Sequence, residues 1–551
     1  MPDITMARQI TPGRVLLLAF AVVFLGSSLA PAASRTNGTN ALPGADIFDS
    51  PNIVRISVTI PEAGMRLLRN DGGPNFGGDP DRKRAEARAT ITDGSRTYKD
   101  VAVTIKGAAG SWQAIDQRPG LTLKFDKYVK GQTFHGLEKL SLNNCVQDPT
   151  YINEKISREL FEKAGIPVPR ADYAVVTLNG RLLGLYGLVE GFNKQFLSRY
   201  FKNVSGNLYD GGFCQEVTTR LNVNSGDKPE DQRDREKLAQ AAVDARTNNQ
   251  LAPLDEVLDL NRFVTMIALE VLLCHWDGYG MNRNNYRVFS DKESGKMIFM
   301  PHGMDQVFGI DGRGADTTIF PQMKGMVARA LVGTSEGRSK YRMKLMDLRT
   351  NLFNAEAIVA RVREIEARIK PVLAEIRPAY ASRQQSYVNA LCRNIMARAE
   401  NLDEQFADAG GEIKFDKNGI AHIDDWRPGN TTAGGQSERR NGPDGSALLF
   451  LRSDGRSVSW RTRAMLPKGS YRFEGRVRTK IAAGAPGMGA NVRISGARQI
   501  RLVQGEADWV QCSFDFEVQE AVADIELICE LRGGPGSAWF DSRSLQLVRV
   551  H

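Results

Sequence analysis

Apolar and polar positions alternate through the first third of the chain, then give way to a longer period. Ile53 to Ile60, Ala87 to Thr92, Lys99 to Lys106 and Leu121 to Phe125 follow the two-residue rhythm of half-buried strands. The same rhythm runs through Asp172 to Leu178 and Leu182 to Val189. Between these runs stands Asn179-Gly180, a pair suited to the positive φ angles of a type I′ turn, so the segment predicts a hairpin. Ile152, Ile156, Leu160 and Phe161 recur at helical spacing instead. Asp148 is placed to cap that helix, Pro149 to fill its first position and Gly165-Ile166-Pro167 to end it.

From about Lys228 helical spacing dominates. Asp231 to Arg246 predicts a charged helix, and Leu260 to Cys274 an apolar one. Asn285 to Phe289 and Met297 to Met300 read as short strands around a turn. Gln322 to about Ala407 reads as helix throughout, with Leu331, Tyr341, Leu345 and Leu348 on one face and Val362, Ile365, Ile369 and Val372 on another. Pro371 and Pro378 interrupt it. Residues 409–443, rich in Gly, Asp and Asn, predict a linker. Beyond it the strand-like runs are Leu448 to Leu451, Ser457 to Arg463, Gly469 to Val477, Ala490 to Ile494, Trp509 to Val518, Val522 to Cys529, Ala538 to Phe540 and Leu545 to Val550. The fold class expected is α+β: a β-rich lobe and a helical lobe over residues 51–408, then an all-β jelly-roll sandwich over 444–551.

The N-terminus adds a targeting signal. Arg8 and Arg14 precede an uncharged run from Val15 to Ala33, and Ala30-Pro31-Ala32 offers an A-x-A cleavage site. Residues 1–33 therefore predict a signal peptide and 34–50 a linker. The mature chain is expected to be exported: periplasmic, cell-surface or extracellular. It would meet a membrane only through an uncleaved leader. The net charge is +9, but Lys and Arg are scattered, not striped, so no nucleic-acid partner is expected. Six cysteines include no C-x-x-C, and five histidines include no H-x-x-x-H, which argues against a zinc site. Cys512 and Cys529 fall in neighbouring predicted strands; a disulfide and two buried free thiols are the alternatives.

The densest chemistry lies at His275-Trp276-Asp277-Gly278-Tyr279-Gly280-Met281-Asn282, followed by Asp305-Gln306-Val307-Phe308-Gly309. The first segment keeps the spacing of the H-R-D-x-x-x-x-N catalytic loop of protein kinases, and the second is a looser version of D-F-G. Phosphoryl transfer needs a group to receive the hydroxyl proton, oxygen ligands for a hard cation, and positive charge on the phosphates. Asp277 suits the first role, Asn282 and Asp305 the second.

Several further segments, in order, resemble the spore-coat-protein-H (CotH) kinase family. They are Lys106-Gly107-Ala108-Ala109-Gly110-Ser111, Arg118-Pro119-Gly120-Leu121-Thr122-Leu123-Lys124-Phe125, Leu140-Ser141-Leu142-Asn143-Asn144 with Asp148, and Asn179-Gly180 with Gly184-Leu185-Tyr186 and Glu190. Trp276-Asp277-Gly278-Tyr279 with Asn282, Asn284-Asn285-Tyr286 and Pro301-His302-Gly303-Met304-Asp305 complete the set. The resemblance implies an atypical, exported protein kinase with a divergent kinase-like fold. It implies ATP and Mg²⁺ as cofactors and a protein Ser or Thr hydroxyl as acceptor. It makes Asp277 the catalytic residue, Asn282 and Asp305 metal ligands, and Lys106, Arg118 and Lys124 candidate phosphate contacts, with Glu154 able to pair with one of these cations. Two departures stand out. Gly303 replaces an Asp common two residues before the metal Asp, and Arg118 replaces a Lys.

In the last domain, Trp509 and Trp539 are candidate glycan-stacking platforms. The alternative expectation is thus a catalytically weak surface protein that attaches to cell-wall or extracellular polysaccharide through the sandwich.

Overall fold

Asn179 and Gly180 take φ angles of 47° and 80° and close the hairpin read from the sequence. The Asn179 side chain also accepts from the Ile60 amide at 2.7 Å and donates to the Ile60 carbonyl at 2.9 Å, tying the turn to the end of a distant strand. These contacts belong to a computed structural model that describes residues 42–71, 73–74, 83–94, 96–226, 231–309, 314–408, 413–429, 435–442, 445–482, 487–497 and 501–550. The leader over residues 1–33 lies outside the described residues.

Among the described residues the strands of the first lobe form a closed barrel in the order β1-β2-β3-β4-β5-β7-β6. They are β1 (Val54–Thr59), β2 (Glu86–Thr92), β3 (Thr97–Lys106), β4 (Gly120–Lys124), β5 (Lys139–Asn143), β6 (Ala171–Leu178) and β7 (Arg181–Glu190). Alternation along each strand sends Ile56, Val58, Val101, Val103, Leu121, Leu123, Leu140 and Leu142 into one buried core. Two helices that the pattern did not predict pack on this lobe, α1 (Ala45–Phe48) and α2 (Glu62–Arg69). Ile47 and Phe48 are buried in the barrel core, so this part of the expected 34–50 linker is a docked element.

Helix α3 (Asn153–Lys163) begins later than its capping signal suggested. Asp148 accepts from the Thr150 amide and hydroxyl and from the Asn153 amide at 2.9 Å. It therefore binds a turn ahead of the helix, and Pro149 stays outside. The second lobe contains α4 (Lys194–Leu197), α5 (Arg233–Asn248), α6 (Ala252–Val257), α7 (Leu260–Leu272), α8 (Tyr279–Asn282), α9 (Met326–Gly333), α10 (Ser335–Asn351), α11 (Ala355–Ile376) and α12 (Pro378–Asp408). A small sheet in the order β11-β10-β8-β9 joins them, from β8 (Leu208–Asp210), β9 (Asn222–Ser225), β10 (Tyr286–Ser290) and β11 (Met297–Pro301). Every residue of α7 except Asn261 and Arg262 is buried. Each such Leu, Ile or Phe contributes about 1.5–3 kcal/mol, so α7 is a rigid mount for the segment that follows it. No helix among the described residues is long and apolar enough to cross a membrane.

The last domain starts earlier than expected. Residues assigned to the 409–443 linker supply β12 (Ile420–His422), β13 (Arg427–Pro428) and β14 (Gln436–Asn441), and Ile423 and Trp426 enter the sandwich core. The remaining strands are β15 (Ala447–Asp454), β16 (Val458–Ile481), β17 (Gly489–Ile494), β18 (Glu506–Arg532), β19 (Pro535–Asp541) and β20 (Gln546–Val550). Two pairs of predicted short strands are fused here into the long β16 and β18. These pair along their length, with the register broken between Pro467 and Gly469, where a proline cannot donate to the ladder. Cys512 and Cys529 therefore share one strand, and both are free thiols. Helix α10 packs on β18, joining the sandwich to the helical lobe.

Candidate active site

A cleft of about 1510 Å³ is walled by barrel residues on one side and by the segments after α7 and β11 on the other. The barrel side brings Lys106, Lys124, Lys139 and Asn143 from the ends of β3, β4 and β5. Helix α3 adds Glu154, and the opposite wall adds Asp277, Asn282, Asn284, Asn285, Arg287, Gly303 and Asp305. Residues distant in sequence thus face one space.

Asp277 is held on both carboxylate oxygens. Its Oδ1 accepts from Asn282 Nδ2 at 2.6 Å, and its Oδ2 accepts from Asn284 Nδ2 at 3.0 Å and Asn285 Nδ2 at 2.8 Å. Three amides fix the carboxylate in one orientation without neutralising it. The loop beneath is anchored from α7. Glu270 accepts from the Tyr279 amide at 3.0 Å and the Gly280 amide at 2.8 Å, and burial pushes its carboxyl up to about 8. Burial also pushes His275 down, and its Nε2 donates to the Gly303 carbonyl at 3.3 Å.

Asp305 lines the same wall of the cleft. Burial, with the carboxylates of Glu154 and Asp148, pushes it up to about 7, while Lys106 acts in the opposite sense. Such a carboxylate suits a hard cation, which would remove that penalty. No cluster of three or more His, Cys, Asp or Glu that could hold a metal occurs among the described residues. The donor set fits Mg²⁺, which takes few protein oxygens when phosphate oxygens supply the rest. Asn282 fits less simply. Its nitrogen is committed to Asp277, and its oxygen accepts from Lys324 Nζ at 3.3 Å, so a cation at Asn282 would displace Lys324.

The cations separate by position. Lys106 donates to Asn143 Oδ1; burial lowers its pKa, while Glu154 and Asp305 support its charge. Lys124 lines the cleft and lies 3.9 Å from Glu86. Arg118 does not line it. Its guanidinium donates to the Leu185 carbonyl at 2.5 Å and the Tyr151 hydroxyl at 3.1 Å, over the rings of Tyr151 and Tyr186. That is a wedge between β7 and the turn before α3, not a phosphate contact. Glu154 lines the cleft, but its hydrogen-bond partner is Arg158 one turn along α3, not Lys106 or Lys124. Glu190 likewise holds Arg170 and Arg199.

Sequence reasoning gave no role to Lys139, Asn143, Asn284, Asn285 or Arg287. The Asn-Asn pair directly after the catalytic-loop motif was visible, but its function as a clamp depends on the turn that folds it back. Lys139 carried no signal. Burial pushes it down to about 8, aided by Arg287 and Lys124, and its Nζ donates to the Phe192 carbonyl at 3.1 Å.

Trp509 and Trp539, expected as open platforms, stand on the outward face of the sandwich with guanidinium groups against their rings. Arg476 and Arg478 each lie 5.4 Å from the Trp509 centroid, and Arg478 lies 4.7 Å from that of Trp539.

Residues 103–402 match the family model described as CotH kinase protein, more than half of the chain. The chain is 24% identical over 253 residues to the inner spore coat protein H of Bacillus subtilis, covering 43% of this chain and 68% of that protein. The relatives it matches in Rhizopus delemar are covered over less than half of their length. Among solved structures, the Helicobacter pylori proinflammatory kinase CtkA aligns over 60% of this chain and 94% of that chain, at 10% identity and a TM-score of 0.23. TmCBM61 in complex with β-1,4-galactotriose aligns over 23% of this chain and 91% of that chain, at 17% identity and a TM-score of 0.17. The family match runs from β3 to α12 and so takes in both walls of the cleft: the chain belongs to the CotH kinase protein family.

Proposed function

We propose that the protein is an exported atypical kinase that transfers the γ-phosphoryl group of ATP to a Ser or Thr hydroxyl of a protein. The observation that carries this reading is the Asp277 carboxylate, held by three asparagine amides, in the same cleft as Asp305 and Lys106. Bound MgATP would supply the electrophilic phosphorus and the ADP leaving group. Asp277 would orient the acceptor hydroxyl and take its proton. Asp305 would hold the cation, and Lys106, Lys124 and Lys139 would balance phosphate charge. The divergent kinase-like fold expected from the family is consistent with a barrel lobe set over a helical lobe.

The test is a phosphotransfer assay with labelled ATP and Mg²⁺ on the full chain, together with nucleotide-dependent thermal stabilisation. Asp277→Ala should abolish transfer while keeping stabilisation, and Asp305→Ala should lose both. Transfer that survives both substitutions would end the enzyme reading.

A second reading is favoured by the aromatic and cationic face of the sandwich: attachment to extracellular polysaccharide, with or without catalysis. Residues 413–550 supply the face, and the kinase-like cleft plays no part in it.

A further inference from the structure

The outward face of the sandwich carries a row that crosses five strands. Glu438 on β14 is opposite Phe450 on β15, Phe450 is opposite Trp539 on β19, and Trp539 is opposite Arg478 on β16. Trp509 on β18 completes it, its ring against Arg478. The rings and guanidinium groups follow one another along the row. Arg440 lies 3.4 Å from the Phe450 centroid, Phe450 and Trp539 have centroids 5.3 Å apart, and Arg478 is shared between Trp539 and Trp509, with Arg476 against the same Trp509 ring.

Arg478 is the unusual member. Two indoles hold it, yet among the described residues no carboxylate lies within 4.0 Å of it and no acceptor receives its N–H groups. Its neighbours are paired: Arg476 lies 4.0 Å from Asp541, and Arg440 lies 2.7 Å from Glu438. A guanidinium stacked on an aromatic ring keeps its donors in the plane, pointing away from the ring. Arg478 is therefore a guanidinium fork confined between two indoles, with no protein acceptor among the described residues, and forks of this kind fit carboxylates.

We propose that this face binds an acidic polysaccharide, with Arg478 taking a carboxylate of the polymer and Arg476 and Arg440 flanking it. This rests on the second functional reading and narrows it. A neutral glycan needs a free aromatic face to stack on, and guanidinium groups occupy the faces of Trp509 and Trp539. A single-stranded nucleic acid needs the same faces for its bases and carries a charge at every residue. Glu438 and Asp541 within the face would repel so dense a polymer. They suit one whose charges are spaced by hydroxyl-bearing rings, because carboxylates accept hydrogen bonds from those hydroxyls.

The experiment uses the full chain, with polygalacturonate, a neutral β-glucan and a single-stranded oligonucleotide of matched charge, followed by calorimetry at low and high salt. The expected result is binding to polygalacturonate that weakens with salt and falls about tenfold or more in Arg478→Gln. Arg478→Lys should fall short of the native chain, because it keeps the charge and loses the fork. Thermal unfolding checks the fold. If Arg478→Gln fails to fold, Arg476→Gln at the more exposed end of the stack carries the test and should also weaken binding. Binding of the neutral glucan that is unchanged in Arg478→Gln overturns this inference and leaves the polysaccharide reading standing. Tighter binding of the oligonucleotide overturns it in favour of nucleic acid. Absence of binding to either glycan overturns both.

Discussion

Asn285 holds Asp277 at two points: its Nδ2 lies 2.8 Å from the carboxylate Oδ2 and 3.1 Å from the backbone carbonyl of the same residue. The other end of that amide faces Gly303. Gly303 has a φ of 55°, and a Cβ placed on it would run into Asn285 Oδ1. In this chain a side chain at 303 would need the space that Asn285 fills.

The clamp predicts that Gly303→Asp will not restore a second metal ligand. It should push Asn285 aside, add about 1–3 kcal/mol of backbone and contact strain, and lower phosphotransfer. Asn285→Ala should lower kcat by about 100-fold at nearly unchanged KM for ATP, the cost of misplacing a reacting group by about 1 Å. Steady-state kinetics on both variants, with melting curves, would check this. A gain of activity in Gly303→Asp would contradict it.

Lys139 gives a pH dependence. Its pKa is pushed down from 10.5 to about 8, first by burial and then by Arg287 and Lys124. Its charge is present below about 8 and is lost as pH rises through that value. Affinity for ATP, whose phosphates are already ionised there, should fall by about tenfold across this window. Lys139→Gln should bind weakly at every pH, with the step removed. Titration calorimetry from neutral to alkaline pH reads both effects.

Glu270 predicts the opposite kind of linkage, in stability. Its carboxyl is raised from 4.5 to about 8, so the folded state binds a proton that the unfolded state has released between those values. Stability therefore falls as pH rises from 4.5 towards 8. Glu270→Gln, which cannot ionise, should flatten that slope. Melting temperature as a function of pH is the measurement, and an unchanged slope would sink the assignment.

Arg118 predicts a stability effect without a binding effect. Its bonds to the Leu185 carbonyl and the Tyr151 hydroxyl join β7 to the turn before α3, away from the cleft lining. Arg118→Gln should lower the unfolding free energy by about 1–3 kcal/mol and leave ATP affinity unchanged. Denaturant unfolding beside nucleotide titration separates the two. A large loss of affinity in a folded variant would return Arg118 to the phosphate site.

Legibility in the sequence followed the range of the interaction. The Asn179-Gly180 hairpin and the burial of Ile267 and Leu269 on α7 were readable because turn chemistry and periodicity act over a few residues. Asp277, Asn282 and Asp305 stand out in the sequence by their spacing, and the cleft brings them together. Where such local signals misled, longer contacts had won. Residues 420–441 looked like linker because edge strands beside a large sheet need little hydrophobic pattern of their own, whereas Asp148 differs only locally, holding the turn before the helix together with the first helical amide.

What the sequence determined alone was most of the helices and strands, the family and the residue types around Asp277, because these depend on local periodicity and spacing. Only the tertiary structure decided that Arg118 is a wedge, that Glu154 turns to Arg158, that Gly303 makes room for Asn285 and that Arg478 stands between two tryptophans. Arg118, Gly303 and Arg478 depend on contacts between residues distant in the chain or on different strands, which leave no period in the sequence to read; Glu154 and Arg158 are one helical turn apart, but spacing alone does not say which cation a carboxylate takes.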